Sequence, residues 1–135
     1  TEKHIGYGNV DPAALARARA EIDAAFATLR LDVTPRTAIA VAGTATTLAA
    51  NSLGLTDYDP CAVHNSVLSA GALRTWIDRL LAADPAERRR VVVVSTDRAD
   101  TLLIGACILL RGLEATRRQA WRVSDRGLRY GIVSV

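Results

Sequence analysis

The chain has 135 residues and half of them are hydrophobic, which suits one compact domain, residues 1–135, with a substantial core; only six side chains are Phe, Trp or Tyr, so that core is aliphatic. Seventeen Lys plus Arg against fourteen Asp plus Glu leave a charge of +3, and the basic residues are interspersed with acids, so a nucleic-acid-binding stripe is not indicated. The longest uncharged apolar run, Thr101 to Leu110, has ten residues and is too short to span a bilayer.

All but one of the basic residues are arginine. Arginine suits bidentate contact with phosphate or carboxylate, although solvated helix faces account for most of these positions. Cys61 and Cys107 stand apart, with no CxxC or Cys/His cluster, so neither a disulfide framework nor a zinc site is expected and a reducing, cytoplasmic setting is. The opening residues carry no secretory leader pattern. The absence of methionine suits a processed chain or an excised piece.

Along the chain, Tyr7 and its neighbouring glycines read as an irregular entry. Asp11-Pro12 starts a helix, with Asp as N-cap and Pro at the first helical position. Leu15, Ala18, Ile22, Ala25, Phe26 and Leu29 recur at helical spacing, and Arg17 with Glu21 and Arg19 with Asp23 are spaced as i,i+4 pairs. Pro35 leads into a buried strand at Thr37 to Ala42. Gly43 and the alanine-rich segment to Asn51 then read as a turn and a helix, ended at Leu53-Gly54-Leu55. Asp57-Tyr58-Asp59-Pro60 is turn chemistry, and Ala62 to Val67 is expected to be extended. Ser69 caps a helix carrying Leu73, Trp76, Ile77, Leu80 and Leu81. A short helical turn runs from Asp84-Pro85-Ala86-Glu87 to Arg88-Arg89-Arg90. Val91 to Val94 have strand composition. A core helix follows at roughly Arg98 to Glu114, burying Leu102, Leu103, Ala106, Ile108, Leu109 and Leu113. Ala120 to Val123 read as a strand. Ser124-Asp125-Arg126-Gly127 turns into a last helical turn with Leu128 and Arg129.

The stretch from Thr37 to Asn51 organises the rest. Glycine lets a ligand approach the backbone, and the amides after it open a helix whose dipole favours anions. An ordinary β–α turn, with Thr44 or Thr46 capping the helix, is the competing reading. The alternation of strands and longer helices argues α/β, but only two or three strands are visible. Either the sheet is small or strands that belong to it lie outside this chain. No GxGxxG fingerprint supports a dinucleotide oxidoreductase.

An ordered set of motifs resembles a known family. Val41-Ala42-Gly43-Thr44-Ala45-Thr46-Thr47-Leu48-Ala49-Ala50 is followed by Tyr58, Val63-His64, Leu68-Ser69, Glu87-Arg88, Arg98-Ala99-Asp100, Gly105-Ala106 and Ser124-Asp125-Arg126-Gly127-Leu128-Arg129. Together with Thr1-Glu2, these are similar to the C-terminal part of exopolyphosphatase and guanosine pentaphosphate phosphohydrolase (Ppx/GppA) proteins. The resemblance implies a helix-rich α/β fold: the second, incomplete lobe of an actin-like, ribonuclease-H-like protein. It implies a phosphoanhydride hydrolase acting on inorganic polyphosphate or guanosine penta- or tetraphosphate, with Mg²⁺ held mostly by residues outside this chain. A homodimer and a cytoplasmic location are further expectations. The alternative is a non-catalytic binding or dimerisation module that keeps the fold.

The family's N-terminal phosphate motif, its glutamate general base and its second glycine-rich loop have no counterpart in residues 1–135, so no catalytic or metal-ligating residue is assigned. The resemblance assigns substrate or nucleotide contact to Gly43, Thr44, Ala45 and Thr46, and it adds weight to Arg98. A cation at a helix start is unfavourable with respect to the dipole, so Arg98 calls for an anionic partner, either a ligand phosphate or a neighbour such as Asp100 or Asp125. Arg129 is expected to tie the terminal turn to a carboxylate. His64 is expected to be partly buried and hydrogen-bonded, and Trp76 and Trp121 to be core or interface anchors rather than base-stacking platforms. Two departures from the family stand out: Tyr130 replaces the usual glutamate, and Val91 to Val94 stand where the family has a loop containing proline and glycine, so the resemblance implies a loop, the composition a strand, and extended chain is expected.

Overall fold

In a computed structural model the described residues are 10–127, Tyr130 and Ile132. The expectations for Thr1, Glu2, Tyr7, Leu128 and Arg129 lie outside them. Helix α1, Pro12–Ala27, begins as its sequence predicts, with the Asp11 carboxylate accepting from the amides of Ala13 and Ala14. Its buried stripe is narrower than the spacing suggests. Ala14, Leu15 and Ala18 are buried, Ala25 is exposed, and Leu29 lies past the helix end and is exposed. Asp23 does not depend on Arg19 for a partner; it pairs with Arg111 at 2.7 Å.

Strand β1 is Ile39–Val41, shorter than the segment Thr37 to Ala42, and helix α2 is Gly43–Ser52. The helix stops where Gly54 takes φ +72°, with the Leu55 amide donating to Ala50 O and the Gly54 amide to Asn51 O. The segment expected to be extended from Ala62 divides into two elements. Asp59 caps a helical turn α3, Pro60–Val63, and pairing starts only at β2, Val67–Ser69. The Asp-Pro pair at the start of a turn decides this, because it offers a cap and a preset φ that a strand does not use. Ser69 then caps α4, Ala70–Ala82.

Helix α5 is Pro85–Val91, opened by a capping box between Asp84 and Glu87. Arg88 does not share the solvated face assigned to most arginines. It is 2% exposed, and its Nε donates to Leu80 O at 2.9 Å. Val91 to Val94 form no strand: Val91 ends α5 and the next three residues are loop. Asn51 takes the place of a partner strand. Its Oδ1 accepts from the amides of Val93 (2.8 Å) and Val94 (3.1 Å), and its Nδ2 donates to Val94 O (3.0 Å) and Thr47 O (2.8 Å). A 3₁₀ turn, Thr96–Arg98, leads into α6, Ala99–Ala115. Leu102, Leu103, Ala106 and Leu113 are buried as expected, whereas Ile108 is 40% exposed. Strand β3 is Ala120–Ser124.

The three strands form one mixed sheet in the order β1-β3-β2, with β1 parallel and β2 antiparallel to β3. Ala40, Val123 and Leu68 point into the core that α2, α4 and α6 complete. Ile39, Arg122 and Val67 stand in register across the opposite face and are exposed, as is Val41. Trp76 and Trp121 are anchors: their indole N–H groups donate to Ser52 Oγ (2.8 Å) and Leu109 O (2.9 Å). His64 is partly buried, but its buried Nδ1 has no hydrogen-bond partner among the described residues, so the bonded state expected for it is not found at that nitrogen.

Candidate functional site

The C-terminal ends of β1 and β3 and the starts of α2 and α6 meet at one corner of the fold. The residue with unusual backbone there is Ala42, not Gly43. Ala42 has φ 73° and ψ 172°, a region that L side chains rarely occupy, and Ser95, before the 3₁₀ turn, has φ 58°. Each such conformation costs about 1–3 kcal/mol and persists only where the surroundings impose it. The two lie at the entries to the helices that carry Gly43 and Arg98.

Gly43 is needed for close approach. A Cβ there would meet the Arg98 guanidinium, 2.6 Å from Cζ and 3.1 Å from Nη2, so the Arg98 side chain lies directly over the first residue of α2. No side chain caps α2, and Ala42 is its N-cap. Capping by Thr44 or Thr46 is therefore excluded, and the first amides of the helix are free of a capping acceptor. Gly43 and Thr44 are half-buried, while the side chains of Ala45 and Thr46 are buried, so Ala45 can offer a ligand only its backbone. Thr46 is already committed: its amide donates to Ala42 O at 3.2 Å and its hydroxyl to Gly43 O at 3.2 Å. It braces the turn.

Arg98 is exposed and has no carboxylate within ion-pair distance among the described residues. Of the two neighbours considered for it, Asp100 pairs with Arg89 at 3.2 Å and Asp125 accepts a hydrogen bond from the Tyr58 hydroxyl. The guanidinium thus sits at the positive ends of two helices with its charge unmatched.

Tyr58, named in the sequence only as part of a motif, belongs to this corner. Partial desolvation of the phenol, 40% exposed, then its hydrogen bond to Asp125, pushes its pKa above the ordinary tyrosine value, while Thr46 and the charge of Arg98 act the other way. The fold therefore favours the neutral phenol. That contribution is whole below the unfolded tyrosine pKa and is lost as pH rises through the higher folded value. We expect the tyrosinate absorbance titration to contain a late component that Tyr58→Phe removes, and the same substitution to flatten the alkaline fall in stability. A wild-type titration in which every tyrosine ionises together would contradict this. At the far side of the turn, the Arg126 guanidinium lies 5.9 Å from the Tyr130 ring centroid, so an aromatic contact stands where the family usually has glutamate.

The described residues do not fit a resident Mg²⁺. They include no group of three or more His, Cys, Asp or Glu able to hold a metal, and the Asp125 carboxylate at this corner already accepts the Tyr58 hydrogen bond.

The model of the Ppx/GppA phosphatase family matches residues 1–134. The chain belongs to the Ppx/GppA phosphatase family. Its fold is similar to that of crystal structures of the Aquifex aeolicus Ppx/GppA phosphatase. The type II variant has 30% identity and a TM-score of 0.88 over 98% of this chain, and a second structure of that family member has 30% identity and a TM-score of 0.87. An exopolyphosphatase-like protein is similar at 29% identity and a TM-score of 0.85 over 99% of this chain. The chain spans only 44%, 43% and 46% of those three chains. No curated protein matches it significantly. The Ppx/GppA structures have an actin-like fold, and this helix-rich α/β unit with its small mixed sheet corresponds to part of it. No helix among the described residues is long and apolar enough to cross a membrane.

Proposed function

We propose that this Ppx/GppA chain is one wall of the active-site cleft of a cytoplasmic phosphoanhydride hydrolase acting on polyphosphate or guanosine penta- or tetraphosphate. The observation that carries the reading is Arg98, unpaired among the described residues and laid over the uncapped start of α2. A phosphate oxygen placed there satisfies the amides of Gly43, Thr44 and Ala45 and matches the guanidinium at once. In hydrolysis these donors neutralise charge on the phosphate oxygens while water attacks in line with phosphorus. The general base and most ligands of the expected Mg²⁺ lie outside this chain. The isolated chain is therefore expected to bind weakly and to hydrolyse nothing above a heat-inactivated control.

The test is chemical-shift mapping with pyrophosphate and with a guanine nucleotide. We expect perturbations centred on Gly43 to Ala45 and a loss of affinity of about tenfold in Arg98→Ala. Gly43→Ala displaces only the flexible end of Arg98, so it keeps the fold and loses the same contact. Perturbations centred on Arg17, Arg19 or Arg89, unchanged by Arg98→Ala, would show surface attraction instead.

A second reading, an assembly module, is favoured by the exposed sheet face of Ile39, Val41 and Val67. Such a face and the β1 edge invite association, and a homodimer is the expected form. A clean monomer by light scattering at high concentration would count against this reading.

A further inference from the structure

Away from the α2 corner, α1, α4 and α6 enclose an open cavity of about 300 Å³. That volume is at the lower end of the range of small-molecule sites. Its floor is aliphatic and sulfur-bearing, made by Ile22, Ile77, Leu110 and Cys107. Its rim carries four charges, and three of them are already matched. Arg111 pairs with Asp23 at 2.7 Å and with Glu114 at 3.1 Å, and Glu114 also lies 4.0 Å from Arg74. Arg19 is the exception: it has no carboxylate within ion-pair distance among the described residues, and its guanidinium faces the Cys107 thiol. The thiol does not supply the missing negative charge, because burial pushes its pKa up more than Arg19 draws it down.

We propose that this cavity binds a short aliphatic monocarboxylate, with the hydrocarbon chain on Ile22, Ile77 and Leu110 and the carboxylate on Arg19. Each part of the ligand answers one feature of the site. A neutral hydrocarbon chain gains the floor but leaves the Arg19 charge unmatched. A polyphosphate meets Arg19 but brings further negative charge against Asp23 and Glu114 and leaves the apolar floor wet. One negative charge on an apolar body suits both. The site is independent of the phosphate contact at Gly43 and does not rest on it.

Hexanoate is the probe, hexanol the neutral control and pyrophosphate the polyanionic one. In a Cys61→Ser background, hexanoate is expected to shift the amides of Ile77, Cys107 and Leu110 and to slow alkylation of Cys107. Arg19→Gln is expected to weaken hexanoate binding about tenfold, to the level of hexanol. Leu110→Phe, which fills the floor from another helix, is expected to abolish binding with Arg19 intact, and circular dichroism checks that both variants are folded. Hexanol binding as tightly as hexanoate, pyrophosphate displacing hexanoate, no change on Arg19→Gln, or no protection of Cys107 at millimolar hexanoate would each overturn the assignment.

Discussion

Replacing Asn51 with alanine is expected to lower stability by about 2 kcal/mol, from the net worth of several hydrogen bonds and the partly buried groups left without partners. For a domain of this size that corresponds to a fall of about 6–8 °C in the unfolding midpoint. The size of the effect follows from what one amide does. It makes two bonds to the Val93 and Val94 amides and one to Val94 O, and so anchors the loop after α5 to α2; the fourth bond, to Thr47 O, fixes the side chain itself. Asn51→Asp keeps the acceptor and loses both donor bonds, and it brings a carboxylate toward two carbonyls, so it is expected to be no better than alanine. Amide exchange adds a local reading. Val93 and Val94 should lose protection before the α2 amides do. A change within about 0.5 kcal/mol, the scale of ordinary surface substitutions, would show that the loop is held by Val92 and Val94 packing alone.

The consequence reaches the site because this loop carries Ser95, with φ 58°, and delivers Arg98. The chain enters the corner through two unfavourable residues, Ala42 and Ser95, and the surrounding bonds impose both. Asn51 secures the segment before Ser95. Thr46 secures the residues on either side of the turn by donating to Ala42 O and Gly43 O at 3.4 and 3.2 Å. A corner built this way holds a guanidinium, unpaired among the described residues, against two helix starts without collapsing onto a local carboxylate. That is the condition for a ligand anion to be the best remaining partner.

Much of this was legible in the residues. Asp11-Pro12, Ser69 and Asp84-Pro85 announce helix starts because the capping chemistry is local, whereas Asp59-Pro60 reads as turn chemistry and its helical turn is seen only in the structure. The apolar spacing of α4 and α6 likewise fixes which faces pack. What was hidden depended on distant partners. Four residues from Val91 to Val94 look like a strand until Asn51, more than forty positions earlier, takes their hydrogen bonds. Ile108 fits the apolar stripe of α6 but faces an open cavity beside α1 and stays 40% exposed. The exposed row Ile39, Arg122 and Val67 follows from register across three strands, which no single segment encodes. At the candidate site, Gly43 and Arg98 could each be picked out, but their contact could not. Tyr58 carried no sign of its bond to Asp125 beyond its place among the family motifs. Its position in turn chemistry was the available signal, since loops at the ends of strands are where such side chains gather.

Gly105→Ala probes the other support of the α2 start, and its expected sign depends on a second residue. A Cβ at Gly105 would lie 3.1 Å from Thr44 Oγ1 and 3.3 Å from Thr44 Cβ, and closer still to Cγ2. Thr44 is β-branched and in the first turn of α2, so it has few rotamers into which to retreat. Two effects oppose each other. Alanine gains about 1 kcal/mol over glycine in a helix interior, and forced overpacking costs about 1–3 kcal/mol. With a short, stiff neighbour the overpacking wins, and Gly105→Ala is expected to destabilise the chain by about 1–2 kcal/mol. In a Thr44→Ala background the two nearest obstructing atoms are gone, and the same substitution is expected to become neutral or stabilising. A double-mutant cycle in denaturant should therefore give a coupling of about 2 kcal/mol. Because the clash displaces Thr44, Gly105→Ala alone should also shift the α2 amides to which the proposed anion contact is assigned, and the double variant should restore them. Equal destabilisation in both backgrounds would mean that the close approach of α6 to Thr44 does not set the position of the α2 start.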